Sequence, residues 1–367
     1  MTVPAFAAAH AFAADWQSAA RAALSALSVP PRANLGFVYF SDRFVADADA
    51  LVVYLRQATG VEQWVGSAGI GTCGSGTGAI DRPAVSLLLG QFPPESFRVF
   101  SGRAPLPHGE AQPYFAVVHA DPNTPDMADL IADMAGKVTS GFVTGGLSSG
   151  RDETRQIANG VLAGGISGVA FSEAIGIATR LTQGCSPLAG VRRIDDCEDN
   201  VITRIDGQPA LEAYRNAIAE AAGNHFQGDL RRAAQLILVG LPVSGRGIHD
   251  YRARHVIGVD PRSGALAINE NVTPGQSLLF CRRGGSAAQR DMARMLGELQ
   301  SSLAGPPRAG LYFSCLGRGG SMFETDSTEL EMIRERFGNL PLTGFFCNGE
   351  ISHDQLYGYT GVLTLFL

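Results

Sequence analysis

Two segments near the C-terminus place charged side chains directly after apolar runs. Cys315 and Arg318 follow GLYFS, and Asn348 and Glu350 follow GFFC. A guanidinium offers a planar fork of donors to a carboxylate, and a carboxylate accepts hydrogen bonds from an ammonium group. Together they would hold a zwitterion such as an amino acid. The alternative is that Arg318 and Glu350 pair with each other as a structural ion pair.

Further polar side chains lie beside glycines at predicted strand ends. Arg254 comes just before the predicted strand HVIGVD, and several serines follow or sit within Gly-rich strands. Small-ligand pockets commonly have apolar walls with a few polar anchors. The predicted ligand-binding residues are Ser67, Ser148, Ser149, Ser167, Arg254, Cys315, Arg318, Asn348 and Glu350.

The six cysteines do not form any Cys-x-x-Cys pair, so the usual zinc and thioredoxin-like spacings are absent. Several lie in apolar runs, which favours buried, reduced thiols. Cys185 or Cys315 as the nucleophile of an enzyme is an alternative, because a cysteine beside an arginine can have a lowered pKa. No nearby histidine is available in the sequence as its base.

Other catalytic patterns are missing. The chain has no phosphate-binding loop, no dinucleotide-binding glycine motif that leads into a helix, and no H-E-x-x-H pair. His119, at the end of the run YFAVVHAD, and His353, in a polar segment, are candidates for a metal or haem ligand. The alternative for each is an ordinary hydrogen-bonded histidine.

Composition limits the partners of the protein. The 367 residues are 45% hydrophobic and 17% charged, with a net charge of -6. This length favours two domains with substantial cores, and the negative charge argues against nucleic acid or an anionic membrane as the main partner. The apolar N-terminal segment lacks the basic region of a signal peptide. We therefore expect a cytoplasmic protein that does not cross a membrane.

Strand and helix signals are mixed along the chain. Short apolar runs predict strands at 35–41, 83–92 and 114–121, among others, and helical spacing predicts helices at 14–28, 45–59 and 126–138. Hairpin-like stretches argue against strict strand–helix–strand repetition. The predicted fold is α+β, with layered mixed β-sheets, flanking helices and two modules packed together.

Residues 140–173 contain two similar stretches, SGFVTGGLSS and NGVLAGGISGVAF. Both patterns predict a strand, a double glycine and a second strand, with Gly145-Gly146 and Gly164-Gly165 in equivalent places. We expect the two glycine steps to lie on neighbouring strands, where backbones or a ligand could approach closely.

The composition changes after residue 185. RRIDDCEDNVITRIDG, at 192–207, is polar and charged with a turn-like Asp-Gly step, and a helix is predicted after it. Strand, turn and strand signals dominate from 254 to 283. These shifts place the boundary between the two modules near residue 225.

Taken together, several segments resemble the FIST-domain family. They are, in order, VGSAGIG, GFVTGGLSS, VLAGGISGVAF, QGCSP, IDGQPALE, RHVIGVDPRSGAL, FSCLGRG and GFFCNGEIS. Each is weak alone, but they span nearly the whole chain in the order of the family. The resemblance implies a FIST N-terminal module at 1–225 and a FIST C-terminal module at 226–367.

The resemblance also implies a bacterial sensory module rather than an enzyme. The family is thought to bind small molecules, amino acids above all, and its members are often fused to signalling kinases or cyclases. This sequence shows no such fused segment, so we expect a partner protein to carry the signal. Some bacterial relatives bind haem and report nitric oxide, which is the second functional alternative. No motif of this sequence identifies the haem-ligating residue.

Overall fold

The computed structural model describes residues 5–106, 113–188, 190–222, 234–243 and 250–367. These residues form two compact units, one of Met1–Thr182 with Asp291–Leu367 and the other of Gln183–Arg290. The predicted module boundary at residue 225 lies outside the described residues, and the division into modules at this point stays a prediction. Within the described part of the chain, no helix has both the length and the apolar composition needed to cross a bilayer.

The first unit contains three successive sets of elements with the same plan. The first set consists of β1 (Phe6–Phe12), α1 (Trp16–Ser25), β2 (Leu35–Ser41), a 3-10 helix (Asp42–Asp47), α2 (Ala48–Thr59), β3 (Gln63–Gly69), β4 (Gly71–Gly74), β5 (Thr77–Ile80) and β6 (Ala84–Gly90). The second consists of β7 (Phe97–Phe100), β8 (Phe115–Ala120), α3 (Met127–Gly136), β9 (Phe142–Leu147), β10 (Gln156–Ala158), β11 (Val161–Leu162) and β12 (Ile166–Phe171).

The third set is split by the second unit. It begins with β13 (Ile177–Gln183). The second unit contains β14 (Cys185–Pro187), β15 (Arg192–Glu198), β16 (Val201–Ile205), β17 (Gln208–Pro209), α4 (Ala210–Ala222), β18 (Ile237–Pro242), β19 (Tyr251–Arg254), β20 (Val256–Asp260), β21 (Ala265–Ile268) and β22 (Ser277–Arg283). The third set then continues with α5 (Gly285–Ser302), within which the boundary between the units falls, β23 (Ala309–Cys315), α6 (Gly319–Met322), α7 (Thr328–Phe337), β24 (Leu342–Cys347), β25 (Glu350–Ser352), β26 (Gln355–Tyr357) and β27 (Thr360–Phe366).

Each set centres on one parallel pair of strands joined by a helical connection. These pairs are β2 with β3, β8 with β9, and β23 with β24. Each pair lies in the middle of a six-stranded sheet, and the three sheets have equivalent orders: β1-β6-β2-β3-β10-β11, β7-β12-β8-β9-β25-β26 and β13-β27-β23-β24-β4-β5. The first unit is therefore a three-fold internal repeat of one mixed sheet.

The sheets exchange hairpins in a cycle. After its second parallel strand, each set leaves its own sheet, adds a hairpin to another sheet and then returns. The hairpin β4–β5 of the first set joins the third sheet, β10–β11 of the second joins the first, and β25–β26 of the third joins the second. No sheet is complete without strands from two sets.

The predicted layers are confirmed. One apolar core is shared by the inner faces of all three sheets and includes Phe37, Phe115 and Phe313. The outer face of the first sheet packs on α1 and α2, that of the second on α3, and that of the third on α5 and α7. The strands predicted at 35–41, 83–92 and 114–121 are β2, β6 and β8. Apolar runs form these strands because both faces of the sheets are covered.

Helix ends follow local chemistry. The Asp15 side chain caps α1 by accepting a hydrogen bond from the Ser18 amide at 2.8 Å. α2 ends at Gly60, which takes a left-handed conformation. The predicted helix at 45–59 is α2 preceded by the 3-10 helix, and the helix predicted at 126–138 is α3.

The prediction for the two double-glycine stretches is wrong. Gly145-Gly146 lies inside β9, whereas Gly164-Gly165 forms the link between β11 and β12 with positive φ at both residues. Moreover, β9 and β12 do not pair, because β8 lies between them. The two similar sequences have different structural roles: the first double glycine allows close packing inside a strand, and the second forms a left-handed turn.

Close backbone approach does occur once in each parallel pair. A Cβ atom on the glycine of the second strand would lie 1.7 to 1.8 Å from a carbonyl oxygen of the first strand. The register pairs are Val38 with Gly66, Val118 with Gly145, and Tyr312 with Gly344. The next residues of the first strands, Tyr39, His119 and Phe313, then meet at the centre with ring centroids 5.4 to 6.3 Å apart.

The second unit is one antiparallel sheet with a helix on it. The strand order is β19-β18-β22-β15-β16-β21-β20, with β14 beside β22 and β17 beside β16. Its core is apolar and includes residues of α4 such as Tyr214. The polar segment 192–207 forms β15 and β16, because Ile194, Ile202 and Ile205 give it one apolar face.

We expect Gly145→Ala to lower the free energy of unfolding by about 3 kcal/mol, since the new methyl group would collide with the Val118 carbonyl at a positive φ. Gly136→Ala is the control: this exposed glycine ends α3, and nothing lies within 4 Å of an added Cβ. The control should gain up to about 1 kcal/mol. Urea unfolding of both variants checks this, and equal stabilities would contradict the steric role.

Candidate functional site

The carboxyl ends of β23 and β24 bring four of the predicted residues close together. Cys315 and Cys347 are register partners at the ends of these parallel strands. Arg318 and Glu350 lie in the segments that follow, both fully buried, while Asn348 is exposed. Parallel strands present their carboxyl ends at one edge of a sheet, where ligand sites of mixed α/β folds are usually found.

Arg318 pairs with Glu329, a residue that the sequence analysis did not single out. Its Nε and Nη2 donate to Glu329 Oε1 at 2.9 and 2.6 Å, and its Nη1 donates to the Tyr359 carbonyl at 3.1 Å. Tyr312 and Ser314 donate their hydroxyl hydrogens to the same carboxylate at 2.6 and 2.7 Å. The buried pair is thus fully hydrogen-bonded, and the alternative in which Arg318 pairs with Glu350 is wrong.

Glu350 is bonded on one side only. Its Oε2 accepts from the amide and hydroxyl of Thr360 at 3.1 and 2.7 Å. Among the described residues, none donates to or accepts from Oε1, although the side chain is completely buried. Burial raises the pKa of Glu350 to about 8, against the hydrogen bonds from Thr360, the attraction of Arg318 and the adjacent Cys315 thiol, which lower it. The carboxyl is therefore mainly protonated at neutral pH.

The buried Cys315 thiol lies beside this carboxyl, although the residue as a whole is partly exposed. Burial and the Glu350 carboxyl raise the pKa of Cys315 well above its usual range. Cys347, which is fully buried, has a raised pKa for the same two reasons. Both groups are thiols at neutral pH, and thiols are poor nucleophiles. This geometry favours a ligand contact over a catalytic nucleophile at Cys315.

Tyr359 covers the turn that follows β23. A Cβ atom on Gly317 would lie 2.7 Å from the Tyr359 ring, so only glycine allows this packing. Tyr359 itself has a left-handed backbone conformation, with φ of 62°. Cys315, Gly317 and Tyr359 are all partly exposed. They form the surface in front of the buried Glu350.

The four predicted serines bond within the body of the repeat. Ser67 and Ser148 share a hydrogen bond of 2.7 Å between their hydroxyls. Ser149 donates to the Phe346 carbonyl at 2.6 Å and accepts from the Ile70 amide at 2.9 Å. Ser67, Ser148 and Ser149 therefore tie the ends of β3, β9 and β24 together. Ser167 lies apart from them and donates to the Gln156 side chain at 2.6 Å.

Arg254 lies in the second unit, where it forms a salt bridge with Glu270. Arg252 bonds to the same carboxylate. The structure therefore gives Arg254 a local partner, and a ligand role for it remains a prediction.

His119 does not fit an axial haem ligand. The side chain is completely buried, and its Nε2 is 3.0 Å from the Tyr39 hydroxyl. Phe313 and Phe345 pack against the ring, and burial lowers the pKa of His119 to about 3. An iron at Nδ1 would have to displace this aromatic packing. His353, which lies in a turn, packs on Phe142 with 3.9 Å between the ring centroids.

Comparison with known protein families decides the relationship. Residues 34–208 match the FIST N domain, and residues 210–353 match the FIST C domain. The chain belongs to the FIST family. FIST domains are sensory domains for small ligands, and the resemblance seen in the sequence is confirmed. The two matched ranges do not coincide with the two compact units, because the C domain covers both most of the second unit and β23 to β25.

Mycobacterial proteins are among the similar sequences. An uncharacterized protein of Mycobacterium tuberculosis is 33% identical over 247 residues, which cover 65% of this chain and 63% of the relative. An uncharacterized protein of Mycobacterium bovis is 30% identical over 236 residues, 63% of this chain and 60% of the relative. The chain thus spans less than two thirds of the length of the curated relatives it matches.

The residues that sequence reasoning missed are Glu329, Thr360 and Tyr359. Glu329 had a signal: it shares a helix face with Ile333 and Phe337, at spacings of four residues. A carboxylate on an otherwise apolar helix face needs a buried partner. Thr360 and Tyr359 come near Glu350 through a tight hairpin that no sequence pattern specified.

We expect Arg318→Ala to cost about 3 to 5 kcal/mol of folding free energy, because it leaves Glu329 buried without its charge partner. Arg294→Ala is the control, since Arg294 forms exposed pairs with Asp291 and Glu298 and should cost less than about 1 kcal/mol. Chemical denaturation of both variants measures the difference. A loss below about 1 kcal/mol for Arg318→Ala would show that the buried pair is dispensable.

Glu350 should make stability depend on pH. Because its folded pKa of about 8 exceeds the ordinary value of 4.5, the folded state holds the proton more tightly than the unfolded state. The contribution is complete below about pH 4.5 and is lost as the pH rises to about 8. Between these limits the wild type should lose about 1.4 kcal/mol per pH unit relative to Glu350→Gln. Denaturant unfolding of both proteins at pH 5 to 8 tests this, and parallel profiles would contradict it.

Proposed function

We propose that this FIST protein is a cytoplasmic sensor that binds a small, amino-acid-like metabolite at the carboxyl ends of β23 and β24. A partner protein such as a kinase or cyclase would receive the signal. The observation that carries the proposal is the unpartnered Oε1 of the buried Glu350. An unsatisfied buried polar atom costs about 1 to 3 kcal/mol, and a bound ligand would remove this cost.

The surroundings of Glu350 support a binding site over an enzyme. Cys315 has a raised pKa, and Arg318 is held rigidly by Glu329 and the Tyr359 carbonyl. Rigid, hydrogen-bonded neighbours keep Glu350 in one orientation, which lowers the entropic cost of binding. The six cysteines are all free thiols, which supports the proposed cytoplasmic location, since disulfides are rare there.

Ligand role and structural role differ among the predicted residues. Glu350 and Cys315 are proposed to contact the ligand, and Asn348 lies exposed beside them. Arg318 is proposed to act by holding the Tyr359 carbonyl in place. Ser67, Ser148 and Ser149 are proposed to support the site by joining the strand ends. Binding at one strand end could then be transmitted through these hydrogen bonds to the other two sheets.

A thermal-shift screen against amino acids, amines, organic acids and nucleotides tests the proposed function. A ligand at 100 times its dissociation constant should stabilise the protein by about 2.7 kcal/mol. The shift should disappear in Glu350→Gln and persist in the surface control Arg294→Ala. No shift with any compound class would contradict the sensory proposal. A shift that Glu350→Gln retains in full would place the ligand elsewhere.

A further inference from the structure

The three-fold repeat supplies an internal comparison for Glu350. The exchanged hairpins pair with the second parallel strands so that Gln156 lies opposite Ser67, Glu350 opposite Gly146, and Thr72 opposite Phe345. In each strand this partner residue directly follows the closely packed glycine, which in the second sheet is Gly145. Gln156, Glu350 and Thr72 therefore occupy equivalent positions in the three sheets.

Two of the three equivalent residues find partners inside the protein. The Gln156 side chain accepts from the Ser167 hydroxyl at 2.6 Å and donates to the Gly165 carbonyl at 3.2 Å. The Thr72 hydroxyl is 2.9 Å from His10 Nε2. We call each place where an exchanged hairpin joins another sheet a junction; the first two junctions contain Gln156 and Thr72, and the third contains Glu350. At the first two junctions, hydrogen bonds within the protein satisfy these side chains.

The third junction lacks one of these partners. Ser167 pairs with His119 in the second sheet, and the equivalent partner of Phe313 in the third sheet is Val362. Thr360, two residues before Val362, donates to Glu350 Oε2, at the position where the Gly165 carbonyl accepts from Gln156 Nε2. Val362 has no hydroxyl, so the oxygen that Ser167 satisfies in Gln156 stays unpartnered in Glu350.

The charges at this junction indicate what is missing. Glu350 is faced by the thiols of Cys315 on β23 and Cys347 on β24, by the Arg318 guanidinium, and by Tyr357, its register partner on β26. Only Arg318 is cationic, and it already pairs with Glu329. Arg318 balances the charge of Glu329, so among the described residues the ionised form of Glu350 has no hydrogen-bonded cation, and a bound cation would supply one.

We propose that Glu350 Oε1 binds the ammonium group of a small primary amine, and that the ligand needs no carboxylate because Arg318 is already occupied by Glu329. This inference rests on the proposed sensory function and specifies the end of the ligand that the site recognises. A charge-assisted hydrogen bond between ammonium and carboxylate is stronger than a neutral one. Val362 makes the site available, and the neighbouring junctions are closed to ligand.

Binding should release a proton. The carboxyl is mainly protonated before binding, since burial raises the pKa of Glu350 to about 8, and pairing with an ammonium requires the ionised form. The proton leaves to solvent as the amine enters. The amine itself stays protonated up to about pH 9. Affinity should therefore rise with pH and be about a hundredfold weaker at pH 6 than at pH 9.

Three probes with the same propyl chain separate the possibilities: n-propylammonium, 2-aminobutyrate and butyrate. Calorimetric titration of the full chain should show binding of the first two with dissociation constants within about threefold of each other, and no binding of butyrate. Titration in buffers of different ionisation enthalpy should show about one proton released at pH 7. Equal binding of butyrate, or affinity independent of pH, would overturn the proposal.

Two variants of one position test the internal comparison. Val362→Thr should offer Glu350 the hydroxyl that Ser167 gives Gln156, and so weaken n-propylammonium binding at least tenfold. Val362→Ala removes both methyl groups without adding a hydroxyl and should keep the affinity within about threefold. Equal affinities in the two folded variants would overturn the assignment. If none of the probes binds while another class in the metabolite screen does, the amine inference fails and the sensory function stands; if no class binds, the sensory function fails.

Discussion

The close approach of parallel strands at three glycines is the constraint on which the first unit depends. At Gly66, Gly145 and Gly344 there is no space for a side chain, because a carbonyl oxygen of the neighbouring strand occupies it. This packing sets the register of each parallel pair, and the register places Tyr39 and its two equivalents at the common centre. All three sheets then share one core, and the ends of their strands meet closely enough to exchange hydrogen bonds.

Within this three-fold repeat, the third junction differs from the other two because it contains buried ionisable side chains. The other two junctions close with neutral hydrogen bonds, whereas this one holds Arg318, Glu329 and Glu350 away from water. Burying three ionisable groups is expensive unless each is paired. Arg318 and Glu329 satisfy each other, and Glu350 avoids most of the cost by remaining protonated. This group of three residues is thus stable, but Glu350 Oε1 still lacks a hydrogen-bond partner, as expected of a binding site without its ligand.

The sequence predicts local structure well and long-range partners poorly. Apolar runs locate β2, β8 and β23 because strands covered on both faces need continuous hydrophobic residues. The predicted meeting of Cys315, Arg318 and Glu350 at one edge is seen, because both segments follow parallel neighbours. The true partner of Arg318 was missed, since Glu329 sits on a helix that looks solvent-exposed by composition. The exchange of hairpins has no local signal, because it is decided by contacts between residues far apart in the chain.

The exchanged hairpins also determine when the protein can fold. Cys73, near the beginning of the chain, finds its register partner Gly344 close to the end. Such distant pairing implies a high contact order and slow folding. During synthesis the hairpin β4–β5 emerges long before β24. Until β24 is made, the backbone groups on the edge of this hairpin are unpaired and can associate with other chains. The protein is therefore a strong candidate for chaperone assistance on the ribosome. A C-terminal truncation that removes β24 would leave the hairpin β4–β5 without its partner strand, even though every residue of the first set is intact.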